Sequence, residues 1–427
     1  MVEEKDIYKE IYQNLMNIED SDKKEKYTRI IITLLEKGYF PGLAGIPVVK
    51  SRVSYVDGEQ GLLTYRGYKA TELAEKCSYE DVCFLLLNED LPLPEERNKL
   101  AERFMENKEI APAVARSVVA LDDKLHPMNM LSAGVLMLQG ADKNPMEVEN
   151  YKQNMKKSIR LIAKLPTIIG TFQNNDPDYA AGEEFDFFAE YILYSFNPEL
   201  ARKKEWAKMF EQLLILHADH TLNNSTFSAR AVGSAQASIY SSISSAINSL
   251  SGPLHGGANE RVVKMLQEIG SPENVEEYVD NKLERGEKIM GVGHRVYRTY
   301  DPRAIFMKEK VLPRIFKGDS EVSSEIDEEL YRQYEIARKL EEVVLDRLGP
   351  KKIYPNVDFW SGLVLQAMGI TPSFFTTIFA LGRIMGWCSH WVEHMEVTNK
   401  IYRPSQLYDG FEERELVISP DSVNGRT

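Results

Sequence analysis

Apolar residues return at three- and four-residue steps along most of this chain, and that period constrains the fold more than any other feature. The windows Ile30 to Leu35, Val82 to Leu87 and Val343 to Leu348 are examples. Side chains at that spacing share one face of a helix, so each window predicts a helix that buries a stripe. Short Gly/Pro/Asp punctuation divides the windows, as in Leu91-Pro92-Leu93-Pro94 and Asn197-Pro198-Glu199. Strand-like alternation is scarce. Val48 to Asp57, with Val53, Ser54 and Tyr55, is the best candidate. The reading is a nearly all-helical chain, and 427 residues suffice for a large core over two or three domains.

Composition removes several function classes. A net charge of −13 argues against nonspecific binding to nucleic acid or an anionic membrane, while leaving room for local basic pockets. The start, Met1-Val2-Glu3-Glu4-Lys5-Asp6, is too acidic and polar for a signal or transit peptide. The most hydrophobic stretch, Phe374 to Trp391, is broken by Arg383 and falls short of a membrane span. Cys77, Cys83 and Cys388 form neither a disulfide framework nor a zinc signature, which fits a reducing cytoplasm. No internal repeat or low-complexity linker stands out.

Three glycine-punctuated segments carry the candidate chemistry. Gly291-Val292-Gly293-His294-Arg295-Val296-Tyr297-Arg298, followed by Asp301-Pro302-Arg303, sets an imidazole in a glycine turn with a guanidinium close behind. Glycines let a ligand approach the main chain, a histidine donates to a developing oxyanion, and arginine's fork suits a carboxylate. Ser251-Gly252-Pro253-Leu254-His255-Gly256-Gly257-Ala258-Asn259-Glu260 repeats the device after a Ser/Ala-rich stretch, Ser234 to Ser249, that reads as a closely packed helix. Pro355-Asn356-Val357-Asp358-Phe359-Trp360-Ser361-Gly362 places a lone carboxylate among apolar residues. Burial there would raise the Asp358 pKa and make it a better base near neutrality. The plainer readings are a solvated loop for His294 and a helix cap for Asp358.

Together these segments resemble the citrate synthase family. Its hallmarks stand here as Gly61-Leu62-Leu63-Thr64-Tyr65-Arg66-Gly67-Tyr68, then His217-Ala218-Asp219-His220 with Asn223 and Ser225, then the three segments above. Phe379-Ala380-Leu381-Gly382-Arg383 and Ile401-Tyr402-Arg403-Pro404 complete the series, in family order, from about Gly42 to about Gly410. The resemblance implies an all-α, two-domain fold. A large domain, 1–256 with 366–427, forms the dimer, and a small domain inserted at 257–365 closes over the active-site cleft.

The implied reaction is a Claisen-type condensation of acetyl-CoA with oxaloacetate and water, giving citrate and CoA as in the tricarboxylic acid cycle. By motif position Asp358 is the base, His255 stabilises the enol and His294 polarises the oxaloacetate carbonyl. His220, Arg303, Arg383 and Arg403 correspond to oxaloacetate contacts, with Arg403 donated across the interface of a homodimer. Lys288, Ile289, Met290, Gly291, Val292 and Gly293 match the loop that meets CoA, and Arg298 is a candidate for its phosphate. No metal or redox cofactor is required by this scheme, acetyl-CoA being a substrate.

Duller readings compete at several positions. His217 and His220, like His390 and His394, are spaced one helical turn apart as metal ligands can be, but neither pair has a nearby cysteine or an HExxH pattern. His217 reads as an interior histidine, His126 as a surface or helix-packing one, and Trp360, Trp387 and Trp391 as core. A guanidinium in an apolar helix, as at Arg383, should face a carboxylate or a ligand. The acidic run Asp319 to Glu329 reads as a solvated loop entering a helix, and Tyr8, Ile11 and Leu15 as part of amphipathic helices. Thr221 and Asn224 stand where the family more often has glutamate and a small residue, which leaves the acyl group open. The rivals are a 2-methylcitrate synthase using propionyl-CoA, a catalytically silent CoA-binding relative, and a helical metal-binding scaffold.

Overall fold

The structure is a computed structural model and describes residues 15–37, 41–43, 46–121, 124–179, 184–317, 322, 326–398 and 400–415. Tyr8, Ile11 and most of the acidic run 319–325 lie outside these residues. The chain divides into two compact units, one of residues 1–50 with 403–427 and the other of Ser51–Tyr402. In the first, α1 (Ser21–Lys37) starts where Asp20 accepts the amides of Asp22 and Lys23 at 3.0 and 3.1 Å, satisfying donors a helix start leaves open. This helix contains the Ile30 to Leu35 window. Residues 403–415 carry no helix or strand, and Leu407, Tyr408 and Phe411 are exposed.

The second unit opens with a three-stranded antiparallel sheet of β1 (Ser54–Asp57), β2 (Leu62–Tyr65) and β3 (Tyr68–Lys69), in that order. Ser54 pairs with Tyr65 across it. The expected strand window is therefore right only in its last four residues. β2 and β3 come from the segment Leu62 to Lys69, whose alternation is too short to be read alone. Everything else of regular form among the described residues of this unit is helical, as the apolar period predicts.

Packing centres on one helix. Before it come α2 (Tyr79–Asn88), α3 (Pro127–Met137), α4 (Tyr151–Asn174), α5 (Lys204–His217), α6 (Asn224–Gly233) and α7 (Ile239–Leu250). Then follow α8 (Ala258–Ile269), α9 (Val275–Glu284), α10 (Pro302–Phe306), α11 (Glu328–Leu348), α12 (Val357–Ala367) and α13 (Phe375–Glu393). Every residue of α13 is buried, Arg383, His390 and Glu393 included, so other elements enclose it on every side. It packs on α2, α4, α5, α6 and α7. Two glycines let it come close. A Cβ at Gly382 would sit 2.7 Å from the Leu214 carbonyl oxygen, and one at Gly386 would sit 2.9 Å from the Asp219 Cβ.

Within 257–365, α8 packs on α12 and α9 on α11, while α11 also touches α8 and α12. The Ser/Ala-rich stretch is not one helix from Ser234. Ser234 to Gln236 form a turn with Gln236 left-handed (φ 59°), and α7 starts after Ser238, whose hydroxyl caps it. His126 is exposed and caps α3 by accepting the Met128 amide at 3.2 Å. Trp360, Trp387 and Trp391 are core residues, as expected. Among the described residues no helix is long and apolar enough to cross a membrane.

Candidate active site

His255 is held at the end of the turn that leaves α7. Its backbone amide donates to the Gly252 carbonyl at 2.9 Å. Its Nε2 faces the start of α6, where the Ser225 amide donates to it at 3.2 Å and the Ser225 hydroxyl lies at 2.9 Å. The indole N–H of Trp387 donates to that hydroxyl at 3.2 Å, and the hydroxyl has Asn223 Oδ1 within 2.7 Å. A backbone N–H cannot rotate away, so Nε2 accepts and the neutral ring carries its proton on Nδ1. Burial, helped by the charges of Arg383 and Arg295, pulls its pKa down to about 4. His255 is a neutral donor.

His294 presents the opposite nitrogen. Its Nδ1 accepts the amides of Val296 at 3.0 Å and Tyr297 at 3.2 Å, which leaves the proton on Nε2. Burial first, then Arg303, pulls its pKa down to about 4, against the pull of Asp301. The His220 ring lies 5.2 Å from it, centroid to centroid, and His220 Nε2 is 3.2 Å from the Tyr297 hydroxyl. Burial, with Arg303 next, keeps His220 neutral as well.

The glycine turn before His294 is stapled to the segment before Asp358. Gly291 and Gly293 are left-handed (φ 73° and 90°), a conformation other residues resist, and a Cβ at Gly291 would meet the Phe359 backbone at 2.9 Å. Gly293 donates to the Tyr354 carbonyl at 2.8 Å, and the Asn356 amide donates to the Gly291 carbonyl at 2.9 Å. The Asn356 side chain then caps α12 by accepting the Asp358 amide at 3.0 Å. Asp358 therefore sits in the first turn of a helix rather than in a loop, and Asn356, not Asp358, is the cap. Among the described residues the Asp358 Oδ1 is buried with no hydrogen-bond partner. Burial raises its pKa to about 6, although Arg303 and Arg383 pull the other way. A half-buried carboxylate with one buried, bare oxygen and a pKa near neutrality is suited to taking a proton.

The two buried arginines differ. Arg303 is gripped by Asp301 through Nε at 3.0 Å and Nη2 at 2.8 Å, and the charge of Asp301 raises its pKa despite burial. Asp301 also accepts the amides of Arg303 and Val357, so it locks the start of α10 to the start of α12. Arg383 has no carboxylate in ion-pair range among the described residues. Its Nε donates to the His217 carbonyl at 2.7 Å, and its guanidinium lies 4.8 Å from the Phe379 ring centroid. Burial pulls its pKa down to about 10. An unpaired buried cation with free N–H groups is costly unless a ligand meets it.

The turn that carries His220 rests on a buried polar relay. Thr221 is left-handed (φ 52°), and its amide donates to the Ser54 hydroxyl at 2.9 Å and to Asp219 Oδ2 at 3.1 Å. Asp219 Oδ2 also accepts from the Ser54 hydroxyl and from His390 Nε2, the latter at 3.3 Å. Arg230 continues the relay to His390 Nδ1 (3.1 Å), Glu393 (2.8 Å) and the Tyr402 hydroxyl (3.1 Å).

The expected acid/base residues and His220, Arg303 and Arg383 thus converge through charge or contact. Arg403 is exposed and belongs to the other unit. Of the CoA segment, Lys288 and Arg298 are exposed, Ile289 and Gly291 are buried, and Met290, Val292 and Gly293 are half-buried. Sequence reasoning gave no role to Trp387 beyond core, nor to Asn356, Asp301 or Tyr297. It read His217 correctly, since that ring is buried and its Nδ1 lies 2.8 Å from the Leu213 carbonyl. Among the described residues no three His, Cys, Asp or Glu side chains converge as a metal site.

The family model described as citrate synthase, C-terminal domain, matches residues 42–405. A citrate synthase of Synechocystis is 40% identical over 375 residues, covering 86% of this chain and 90% of that protein. Citrate synthase 1 of Mycobacterium tuberculosis is 38% identical over 399 residues, 88% of each chain. Among solved structures, citrate synthase of Pyrobaculum aerophilum superposes with a TM-score of 0.81 at 34% identity, covering 90% of this chain and 95% of that one. The citrate synthase of Thermoplasma acidophilum, solved as a ternary complex with carboxymethyl coenzyme A and oxaloacetate, gives 0.80 at 30% identity, covering 89% and 98%. Neutral histidine donors, a base-like carboxylate and this degree of likeness lead to one conclusion: the chain is an enzyme of the citrate synthase family.

Proposed function

We propose that this site condenses acetyl-CoA with oxaloacetate and hydrolyses the product to citrate and CoA, with Asp358, His255 and His294 in separate roles. The bare Oδ1 of Asp358 takes a proton from the acyl methyl group. His255 donates through Nδ1 to the thioester oxygen as the enol forms. The nucleophilic carbon then attacks the oxaloacetate ketone, whose oxygen is polarised by the Nε2–H of His294 and takes that proton to become a hydroxyl as the carbon–carbon bond forms; water then adds to the thioester carbonyl and CoA leaves as the thiol. Neutral donors suit this work, because a weakly acidic carbon needs base and oxyanion support together. The observation that carries the reading is the set of backbone amides that donate to His255 Nε2 and to His294 Nδ1, which leaves the proton on the opposite nitrogen of each ring.

Substrate anchoring follows the charges. Arg383 is the open cation for an oxaloacetate carboxylate, Arg303 offers the part of its fork that Asp301 leaves, and His220 lies beside His294. We assign Arg403 to the neighbouring site of a homodimer, and the loop Lys288 to Gly293 with Arg298 to CoA. The corresponding domain division is 1–256 with 366–427 against 257–365, the latter closing on the cleft to exclude water from the thioester. Three free cysteines support a cytoplasmic location.

Thiol release from acetyl-CoA and from propionyl-CoA, each with oxaloacetate, tests the reading through the ratio of kcat/KM. One methylene is worth about 1–3 kcal/mol in an apolar pocket, so a tenfold or greater preference for acetyl-CoA is expected. A preference for propionyl-CoA would reassign the acyl substrate, and no turnover with either would remove the enzyme role.

A further inference from the structure

We propose that the β1–β2 turn, through Gly58, is a positioning element for His294: it presses the Val296–Tyr297 segment into the shape that caps the His294 Nδ1. The inference rests on the reading of His294 as an Nε2–H donor.

The segment needs such a hold. Residues 294–300 have no helix or strand, and among the described residues the Val296 and Tyr297 amides find their hydrogen-bond partner in the His294 ring nitrogen. Two bonds of this kind fix ring orientation only if the backbone that donates them is itself fixed. The turn between β1 and β2 supplies that. Arg298 donates its amide to the Gly58 carbonyl at 2.8 Å. A Cβ at Gly58 would fall 2.8 Å from the Val296 carbonyl carbon and closer still to its oxygen, so the two backbones touch. On the far side of the turn a Cβ at Gly61 would meet the Thr299 methyl at 2.8 Å. Gly58 is not among the left-handed residues, so it is glycine for space rather than for its backbone angle. The turn owes its shape to Asp57, whose Oδ1 accepts the amides of Glu59 and Gln60, both at 3.0 Å. None of these residues touches the reacting atoms, so Gly58 and Asp57 are positioning residues.

The full chain bearing Gly58→Ala tests this. The methyl group displaces Val296, and a misplacement of about 1 Å in a catalytic group costs up to roughly a hundredfold in rate. We expect kcat/KM for oxaloacetate at pH 8 to fall roughly ten- to a hundredfold. Nitrogen NMR on histidine-labelled protein supplies the second readout. Losing the amides that favour the bare Nδ1 should raise the His294 pKa, while Arg303, Asp301, His220 and Tyr297 around it are unaltered. Asp57→Ala should move both readouts the same way and less far, and Asp57→Asn, which keeps Oδ1, should restore them. A folded Gly58→Ala protein with wild-type kcat/KM and an unchanged His294 signal overturns the proposal. If Gly58→Ala does not fold, the Asp57 pair decides by the same two measurements. A wild-type His294 found protonated on Nδ1 would instead refute its role as Nε2–H donor, whatever the variants do.

Discussion

Asn356 donates its side-chain amide to the carbonyl oxygen of Gly293 at 2.9 Å, tying the turn that carries His294 to the helix that carries Asp358. The same side chain caps α12 through its oxygen. The two functions separate by mutation. Asn356→Asp keeps the acceptor and loses the donor, so thermal stability should stay near wild type while kcat falls. Asn356→Ala loses both and should also lose about 1 kcal/mol of stability, read as a lower Tm. Equal activity in Asn356→Asp and wild type would show that the tie is dispensable.

Asp358→Asn should leave oxaloacetate binding intact, because the carboxylate acts on the acyl group. Turnover should drop by roughly 10²–10⁴, the usual worth of a positioned base. Calorimetric titration with oxaloacetate beside a thiol-release assay checks both halves. Loss of oxaloacetate binding would place Asp358 among the anchors.

The pH dependence has a definite sign. A base works ionised, so kcat/KM should fall about tenfold per pH unit once the pH drops below the Asp358 pKa of about 6. Stability runs differently. His255 and His294 have folded pKa values of about 4 against an ordinary 6.5, so the unfolded chain takes up protons that the folded chain refuses. Their contribution is present above pH 6.5 and is lost as the pH falls towards 4. A scan of Tm from about pH 7 to about pH 5 should therefore be flatter in His255→Gln/His294→Gln than in wild type.

Arg403→Ala and His294→Ala should each be nearly inactive, and a mixture after subunit exchange should regain activity. A hybrid dimer has one site with both residues intact if Arg403 crosses the interface. Mass spectrometry confirms exchange, and no recovery after confirmed exchange would return Arg403 to its own subunit's surface.

The sequence is most legible where the local chain does the work. Gly291 and Gly293 are glycines because the turn is left-handed, and His255 and Asp358 stand in segments whose punctuation marks them. Helix existence followed from period alone. What stayed hidden is long-range. Ser225 and Trp387 are 162 residues apart and meet only on folding, so nothing local assigns the His255 tautomer to them. Asp301 carries a local signal, since it lies two residues before Arg303 and opens α10 as its cap. The short strands β2 and β3 had too few residues for alternation to register, and the left-handed Thr221 is held from outside by Ser54.

Asp301 has a consequence for charge balance. Its carboxylate already neutralises Arg303, and both histidines are uncharged, so among the described residues Arg383 is the fully buried cation near Asp358 that no ion pair holds. That charge already acts on an ionised Asp358, so the two carboxylates of a dianion such as oxaloacetate bring more negative charge than it offsets. The interior of a single subunit's cleft is thus electrically short for its own substrate. A second cation brought by assembly would act as a valence gate, passing doubly charged acids and leaving singly charged ones no stronger a hold than Arg383 provides.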